Sequence, residues 1–309
     1  MVGEGRSRHT AEQNSDLPVV VIGGPQAVLR QALITQALEH APGPRPWGLI
    51  RSPSLTARSD GFAQGAVTQI GACVCCTSPA TLLAAYGRLH RAHGPLSGLI
   101  IELDSQAHVC ALIDVLLSDS LRAVGLALCS VWHARPQWHL GSSDERTLQM
   151  IATADHLWLA SSGQLPGLAR YLSEQYWDEA ILAEGQSPPA WRLPRNKAEG
   201  HALVIPPAEG DGAWMPVSCG DAGSWWRWRG QASQVLNRPR LQAVLADMAR
   251  TARVKSARGV FRTEREWYGW QASGQWQPSF WRRDSRLDVF LQAGEPTQAW
   301  HQALNSCIA

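Results

Sequence analysis

The feature that most constrains this chain is an alternation of short apolar runs with segments of helical period in its first half. LPVVVIGG stops at a glycine pair, and apolar residues then recur at helical spacing from residue 28 to residue 38. LSGLIIELD, LRAVGLALCSVW and DHLWLAS repeat the strand pattern, with AHVCALIDVLL and DERTLQMIATA as helices between them. Strands that are apolar on both faces and alternate with helices predict a mostly parallel α/β sheet covered on both sides.

The chain is long enough for two domains. Its 309 residues exceed the size at which a single core usually stops growing, about 250 residues. Residues 1–17 are polar and are predicted to form a disordered tail, with the α/β domain at 18–184. A proline-rich, charged stretch at 185–200 is typical of a linker. Beyond it, residues 201–309 begin with the strand pattern HALVIP and predict a smaller α+β domain with an antiparallel sheet.

The composition indicates no charged partner. Hydrophobic residues make up 45% of the chain and charged residues 17%, and a net charge of +2 attracts neither nucleic acid nor anionic lipid. The first residues lack the apolar region of a signal peptide, and no run approaches the ~20 apolar residues of a membrane span. We therefore expect a cytoplasmic protein with no membrane partner.

Most of the 15 tryptophans lie in the second half, where WWRWR interleaves them with arginine. Such a pattern can stack on single-stranded bases. In a strand, however, Trp226 and Trp228 share one face while Arg227 and Arg229 share the other, which is typical of a half-buried sheet. We favour the sheet and expect no nucleic-acid partner.

Three of the seven cysteines lie in GACVCCT, residues 71–77. Thiols stay reduced in the cytoplasm, so clustered cysteines indicate metal binding or redox chemistry before a structural disulfide. In an extended segment Cys73 and Cys75 point to one side, and Cys76 joins them if the backbone turns before the helix that begins near Ser78. The alternatives are a redox pair, formed by Cys75 with Cys76 or by Cys73 with a neighbour, and an inert buried cluster.

Three thiolates leave one position of a tetrahedral zinc ion open, which suits delivery of the metal to another protein. Residues that follow the ends of two predicted strands could close it, because sites in parallel sheets gather beyond the carboxyl ends of the strands. These residues are Asp104, His108, Cys110 and His133. Each could equally be an ordinary surface or core residue.

The order of these segments resembles the CobW-type family of P-loop GTPases, which includes zinc metallochaperones. GACVCCT is similar to the family's CxCC segment, and LIIELDSQA to its Glu-x-x-Gly strand, with Glu102 in place. ATADHLWLASSGQL resembles the segment that ends in its base-reading motif, and RVKSARGVFRT its Arg-x-Lys-Gly strand with an insertion. The resemblance implies a P-loop-like α/β domain, a smaller C-terminal domain, zinc held by Cys73, Cys75 and Cys76, and GTP with magnesium as cofactors.

The phosphate-binding loop departs from the family pattern. Where the family has GxxxxGK[ST], this chain has GPQAVLRQ, which puts Leu29 at the second glycine, Arg30 at the lysine and Gln31 at the magnesium-binding hydroxyl. Gly23, Gly24 and Arg30 are what remains to bind a nucleotide phosphate.

The later nucleotide motifs depart as well. Ser105 replaces the glycine of Glu-x-x-Gly, and Ala160–Gln164 contains neither the lysine nor the aspartate of the base-reading motif. Between Ile50 and Gly65, where the family has acidic residues, only Asp60 is found. Phosphoryl transfer depends on positioned charges, so these losses argue against GTP and magnesium as cofactors.

The sequence thus predicts a CobW-like protein that handles zinc or a similar divalent metal through its CxCC motif and is not an enzyme. Its partner would be a client metalloprotein or an active family member. One alternative is an active GTPase in which Arg30 replaces the lysine and Glu102 acts near the metal or water. The other is a non-catalytic interaction protein.

Overall fold

A computed structural model of the chain describes residues 16–39, 44–52, 66–70, 74, 77–104, 107–135, 149–150, 152–159, 181–183, 201–204, 212–220, 222–264 and 266–309. The predicted tail lies outside these residues as far as residue 15, and so does the whole predicted linker. Leu17, which we placed at the end of the tail, is the first residue of a strand.

The first sheet contains eight strands in the described part of the chain. They are β1 (Leu17–Gly23), β2 (Trp47–Arg51), β3 (Ala66–Gln69), β4 (Gly98–Glu102), β5 (Leu126–Arg135), β6 (His156–Leu159), β7 (Ile181–Ala183) and β8 (His201–Val204). Their order is β3-β2-β4-β1-β5-β6-β8-β7. The first six in this order are parallel, whereas β8 runs antiparallel to both β6 and β7. The predicted mostly parallel α/β sheet is confirmed.

Helices cover both faces of this sheet. They are α1 (Ala27–Glu39), α2 (Pro79–His93), α3 (Val109–Leu116) and α4 (Asp119–Arg122). The apolar run of β1 explains the layers, because successive side chains of a strand point to opposite faces. Val20 and Ile22 pack with α1 residues, and Val19 and Val21 pack with residues of the other three helices.

The second sheet is antiparallel, as predicted. Its described strands are β9 (Trp214–Gly220), β10 (Gly223–Gln231), β11 (Val254–Thr263), β12 (Glu266–Gln271), β13 (Trp276–Pro278) and β14 (Asp284–Leu291). They lie in the order β13-β12-β11-β14-β10-β9. Two helices, α5 (Arg238–Arg250) and α6 (Gln298–Asn305), cover one face and share its apolar core.

Strand β10 has the alternation of faces that its sequence predicts. Trp228 is buried in the core beneath α5 and α6, and Trp226 packs against the same core. On the opposite face, Arg227 Nε lies 2.6 Å from an Asp288 carboxylate oxygen, within a buried ion pair. Trp226 and Trp228 are therefore core residues, and the arginines on the opposite face of the strand make ion pairs.

The boundary between the two sheets differs from the prediction. We expected HALVIP to be the first strand of the second domain, but His201–Val204 pairs with β6 and β7 of the first sheet. The reason is that β6, as the last parallel strand, has an unpaired edge, and β8 supplies the hydrogen-bonding partners that this edge needs.

The aromatic segment QPSFWRR, residues 277–283, is a strand only at its beginning. Strand β13 ends at Pro278, and residues 279–283 leave the sheet. The indole Nε1 of Trp281 donates a hydrogen bond to the carboxylate of Asp284 at 2.7 Å, which folds the segment back onto the start of β14.

The same segment joins the two domains. Arg282 Nε lies 3.0 Å from Asp114 Oδ1 in α3, and Arg283 Nη2 lies 3.3 Å from Asp155 Oδ1 beside β6. Burial raises the pKa of Asp114, and the charge of Arg282 opposes that rise. Two partly buried ion pairs therefore link the second sheet to the first domain.

Candidate functional site at the carboxyl edge of the parallel sheet

The carboxyl ends of β1, β2 and β4 lie side by side, which brings distant residues of the sequence together. Strand β4 lies between β2 and β1, and Arg51 and Glu102 are register partners at the ends of their strands. The chain leaves β1 toward one side of the sheet and later crosses to β5 on its other side. In α/β proteins this topological switch point opens the crevice in which ligands bind.

The connection from β1 to α1 is short. Gly24, with φ 141°, is followed by Pro25 and Gln26, and the helix begins at Ala27. Leu29, Arg30 and Gln31 thus already belong to the helix. A phosphate-binding loop curls the backbone between its two glycines around the phosphates, so that several amides face them. This connection has three residues, and Pro25 has no N–H to donate.

Arg30 is directed into the protein. Its Nη1 donates a hydrogen bond to the carbonyl oxygen of Gly24 at 2.6 Å, and its Nε donates one to Glu102 Oε1 at 3.2 Å. Arg51 approaches the other oxygen of the same carboxylate, with 3.5 Å between Nε and Oε2. The exposed fractions of Arg30, Arg51 and Glu102 are 2%, 4% and 1%. Two arginines therefore enclose one carboxylate out of contact with water.

The alternation along the strands explains why these groups meet. Ile22, Ile100 and Leu49 face α1, and Glu102 and Arg51 lie two residues further along their strands on that same face. The apolar core beneath α1 thus ends in an ionic cluster at the carboxyl edge of the sheet. The fit is poor for a nucleotide, because the connection offers no extended cradle and Arg30 is already bonded within the chain.

Next to this cluster lie Ser52, Asp104 and His133. Ser52 Oγ donates a hydrogen bond to Asp104 Oδ2 at 3.2 Å. His133 is buried against β1, and a Cβ placed on Gly23 would lie 2.6 Å from its Nδ1. Gly23 was predicted as a phosphate-binding glycine. In the structure, its lack of a side chain makes space for the imidazole of His133.

The predicted metal ligands Cys73, Cys75 and Cys76 lie outside the described residues. Two neighbours are described: Val74 is buried in the core under α2 and α3, and the backbone N–H of Thr77 donates to the carbonyl of Val74 at 3.3 Å.

The helix after the cysteine segment starts as predicted. Ser78 is the N-cap of α2, and its Oγ accepts the backbone N–H of Thr81 at 3.3 Å. Pro79 occupies the first helical position, where a missing N–H costs nothing. Because β3 ends at Gln69, the cysteines connect the carboxyl end of a parallel strand to a firmly capped helix.

The predicted extra ligands do not come together. His108 is exposed at the start of α3, and Asp104 is bonded to Ser52. Cys110 is buried, with its Sγ 3.4 Å from the carbonyl oxygen of Phe280 in the second domain. Within the described residues, no group of three His, Cys, Asp or Glu side chains could hold a metal ion.

Sequence reasoning missed Arg51 and Ser52. Arg51 is the last residue of WGLIR, a five-residue strand that we did not predict, and Ser52 follows it. The useful indication would have been a short apolar run that ends in a charged residue, the same arrangement as the run that ends in Glu102.

No family model matches the sequence, and no curated protein matches it. The crystal structure of Zn(II)-bound YjiA GTPase from E. coli aligns with 96% of this chain and 100% of its own, at 12% identity and a TM-score of 0.43. A Zn(II)-bound triple mutant of YjiA GTPase gives the same coverage and identity with a TM-score of 0.41. Scores this low carry no argument about function, and the fold class rests on the strand order.

Among the helices that the structure describes, none is long and apolar enough to cross a bilayer.

Proposed function

We propose that this protein binds a thiophilic divalent metal ion, zinc before others, through Cys73, Cys75 and Cys76, and passes it to a client metalloprotein or to a relative. We further propose that it neither binds nor hydrolyses GTP. The first statement rests on the chemistry and topological place of the cysteine segment, and the second on the ionic cluster at the same edge.

The donor set suits zinc. Thiolates are soft ligands that prefer zinc and copper(I) over magnesium and calcium, and three of them leave one tetrahedral position for an incoming ligand. The segment that holds them connects β3 to α2 at the carboxyl edge of the sheet. This placement is the observation that supports metal handling most directly, because ligand sites in parallel sheets lie at this edge.

The loss of nucleotide chemistry is supported by Arg30. In the position of the family's phosphate-binding lysine, it is buried and bonded to Gly24 and Glu102. To reach a phosphate, Arg30 would have to give up both bonds. Glu102, the residue that would act near metal or water in an active GTPase, has its carboxylate between two arginines.

The test is metal content per chain, measured on untagged protein by elemental analysis. Wild type should hold about one zinc ion per chain, and the triple variant Cys73→Ser, Cys75→Ser, Cys76→Ser should lose nearly all of it. Cys219→Ser is the matched control, since Cys219 is an exposed cysteine of the second sheet and its loss should change nothing. Unchanged zinc in the triple variant would refute the metal site.

The proposed absence of GTP binding and hydrolysis is tested separately. Adding GTP and magnesium to wild type should neither release phosphate above the blank nor alter zinc affinity. Phosphate release that Arg30→Ala abolishes would instead establish an active GTPase.

A further inference from the structure

The Glu102 carboxylate is held as a bound anion would be held. Each of its oxygens faces a different arginine, Arg30 at 3.2 Å and Arg51 at 3.5 Å, and all three side chains are buried. We propose that the crevice is an anion-binding site that the chain fills with its own side chain, so that Glu102 acts as an internal ligand in place of a free carboxylate or phosphate.

Three elements meet at this carboxylate. Arg30 comes from the first turn of α1, Arg51 ends β2, and Glu102 ends β4. A free anion bound at this place would hold the same three elements together. The carboxylate of Glu102 does so permanently, because it is covalently part of the chain. The edge of the sheet is therefore held in one arrangement without any diffusible ligand.

The charge balance favours an anion strongly. Two buried guanidinium groups surround one carboxylate, and a buried charge is tolerated only where it is paired and hydrogen-bonded. Charge-assisted bonds from arginine to an oxyanion are among the strongest in proteins. Removing the carboxylate would leave a site with net positive charge and the volume of the missing group.

A further hydrogen bond of Arg30 restricts access to the ionic cluster. Arg30 also donates to the carbonyl of Gly24, which draws the connection between β1 and α1 onto the guanidinium. An external anion would have to displace Glu102 and compete with this bond. The inference rests on the proposed absence of GTP binding. It explains why metal binding at the cysteines would need no nucleotide to control it.

Acetate rescue is the test, because acetate has the atoms that Glu102→Ala removes. The full-length variant should melt roughly 10 °C below wild type in chloride, since a buried ion pair has lost one partner. Acetate at matched ionic strength should recover at least half of this loss, whereas neutral acetamide should recover none. Wild type should show no shift specific to acetate.

The double variant Arg30→Ala, Glu102→Ala provides the control, because acetate should no longer raise its melting temperature. If Glu102→Ala folds only when acetate is present, the refolding yield in acetate against acetamide replaces the melting temperature. Equal effects of chloride, acetamide and acetate on Glu102→Ala would overturn the proposal, and so would rescue that persists without Arg30. Zinc content of wild type tests the metal site independently of either result.

Discussion

His156, the first residue of β6, shows how burial and a neighbouring charge set the chemistry of a single side chain. Its ring lies 4.3 Å from that of Trp132, and burial, then the charge of Arg283, lower its pKa from 6.5 to about 4. Between these values the unfolded chain binds a proton that the folded chain does not. Stability should therefore fall as the pH drops from 6.5 to 4, by about 3 kcal/mol from this group.

His156→Phe keeps a ring against Trp132 and cannot be protonated. Urea denaturation across this pH range should show a shallower loss of unfolding free energy for the variant than for wild type. Identical pH profiles for the two proteins would mean that His156 does not titrate in this way.

Helix α2 is the element whose start determines where the cysteine segment ends. Ser78→Ala removes the acceptor of the Thr81 N–H and should cost about 1 kcal/mol of unfolding free energy. Ser118 is the matched control, since it precedes α4 but its side chain makes no capping bond. Urea denaturation should show a smaller loss for Ser118→Ala, and equal losses would contradict the capping role of Ser78.

In the first sheet, the strands that the sequence predicted most clearly lie in its interior. LPVVVIGG, LIIELD and LALCSVW contain few polar residues, because β1, β4 and β5 lie inside the parallel sheet. Strand β3, four residues long and polar at Thr68 and Gln69, has no such pattern. The Arg51–Glu102 pair could not be predicted at all, because it depends on β2 lying beside β4, which only the tertiary arrangement decides.

For the whole molecule, the segment 279–283 should determine whether the two domains unfold together. Arg282 and Arg283 make partly buried ion pairs to Asp114 and Asp155. In calorimetry we expect wild type to unfold in one transition and the double variant Arg282→Ala, Arg283→Ala to show two. Arg250→Ala is the control, because its pair with Asp247 is exposed and worth little. A single transition in the double variant would show that other contacts couple the domains.

Strand β8 has a consequence for how the chain is made. The first sheet is complete only when the antiparallel strand His201–Val204 has paired with β6, although its six parallel strands end by residue 159. On the ribosome, the edge of β6 stays open while some forty further residues, all those between β6 and β8, are synthesised, which takes seconds at about 5–20 residues per second. During that interval the nascent chain exposes an unpaired strand edge to other proteins. Completion of the first domain therefore depends on prompt synthesis of residues 201–204, which the sequence pattern had assigned to the second domain.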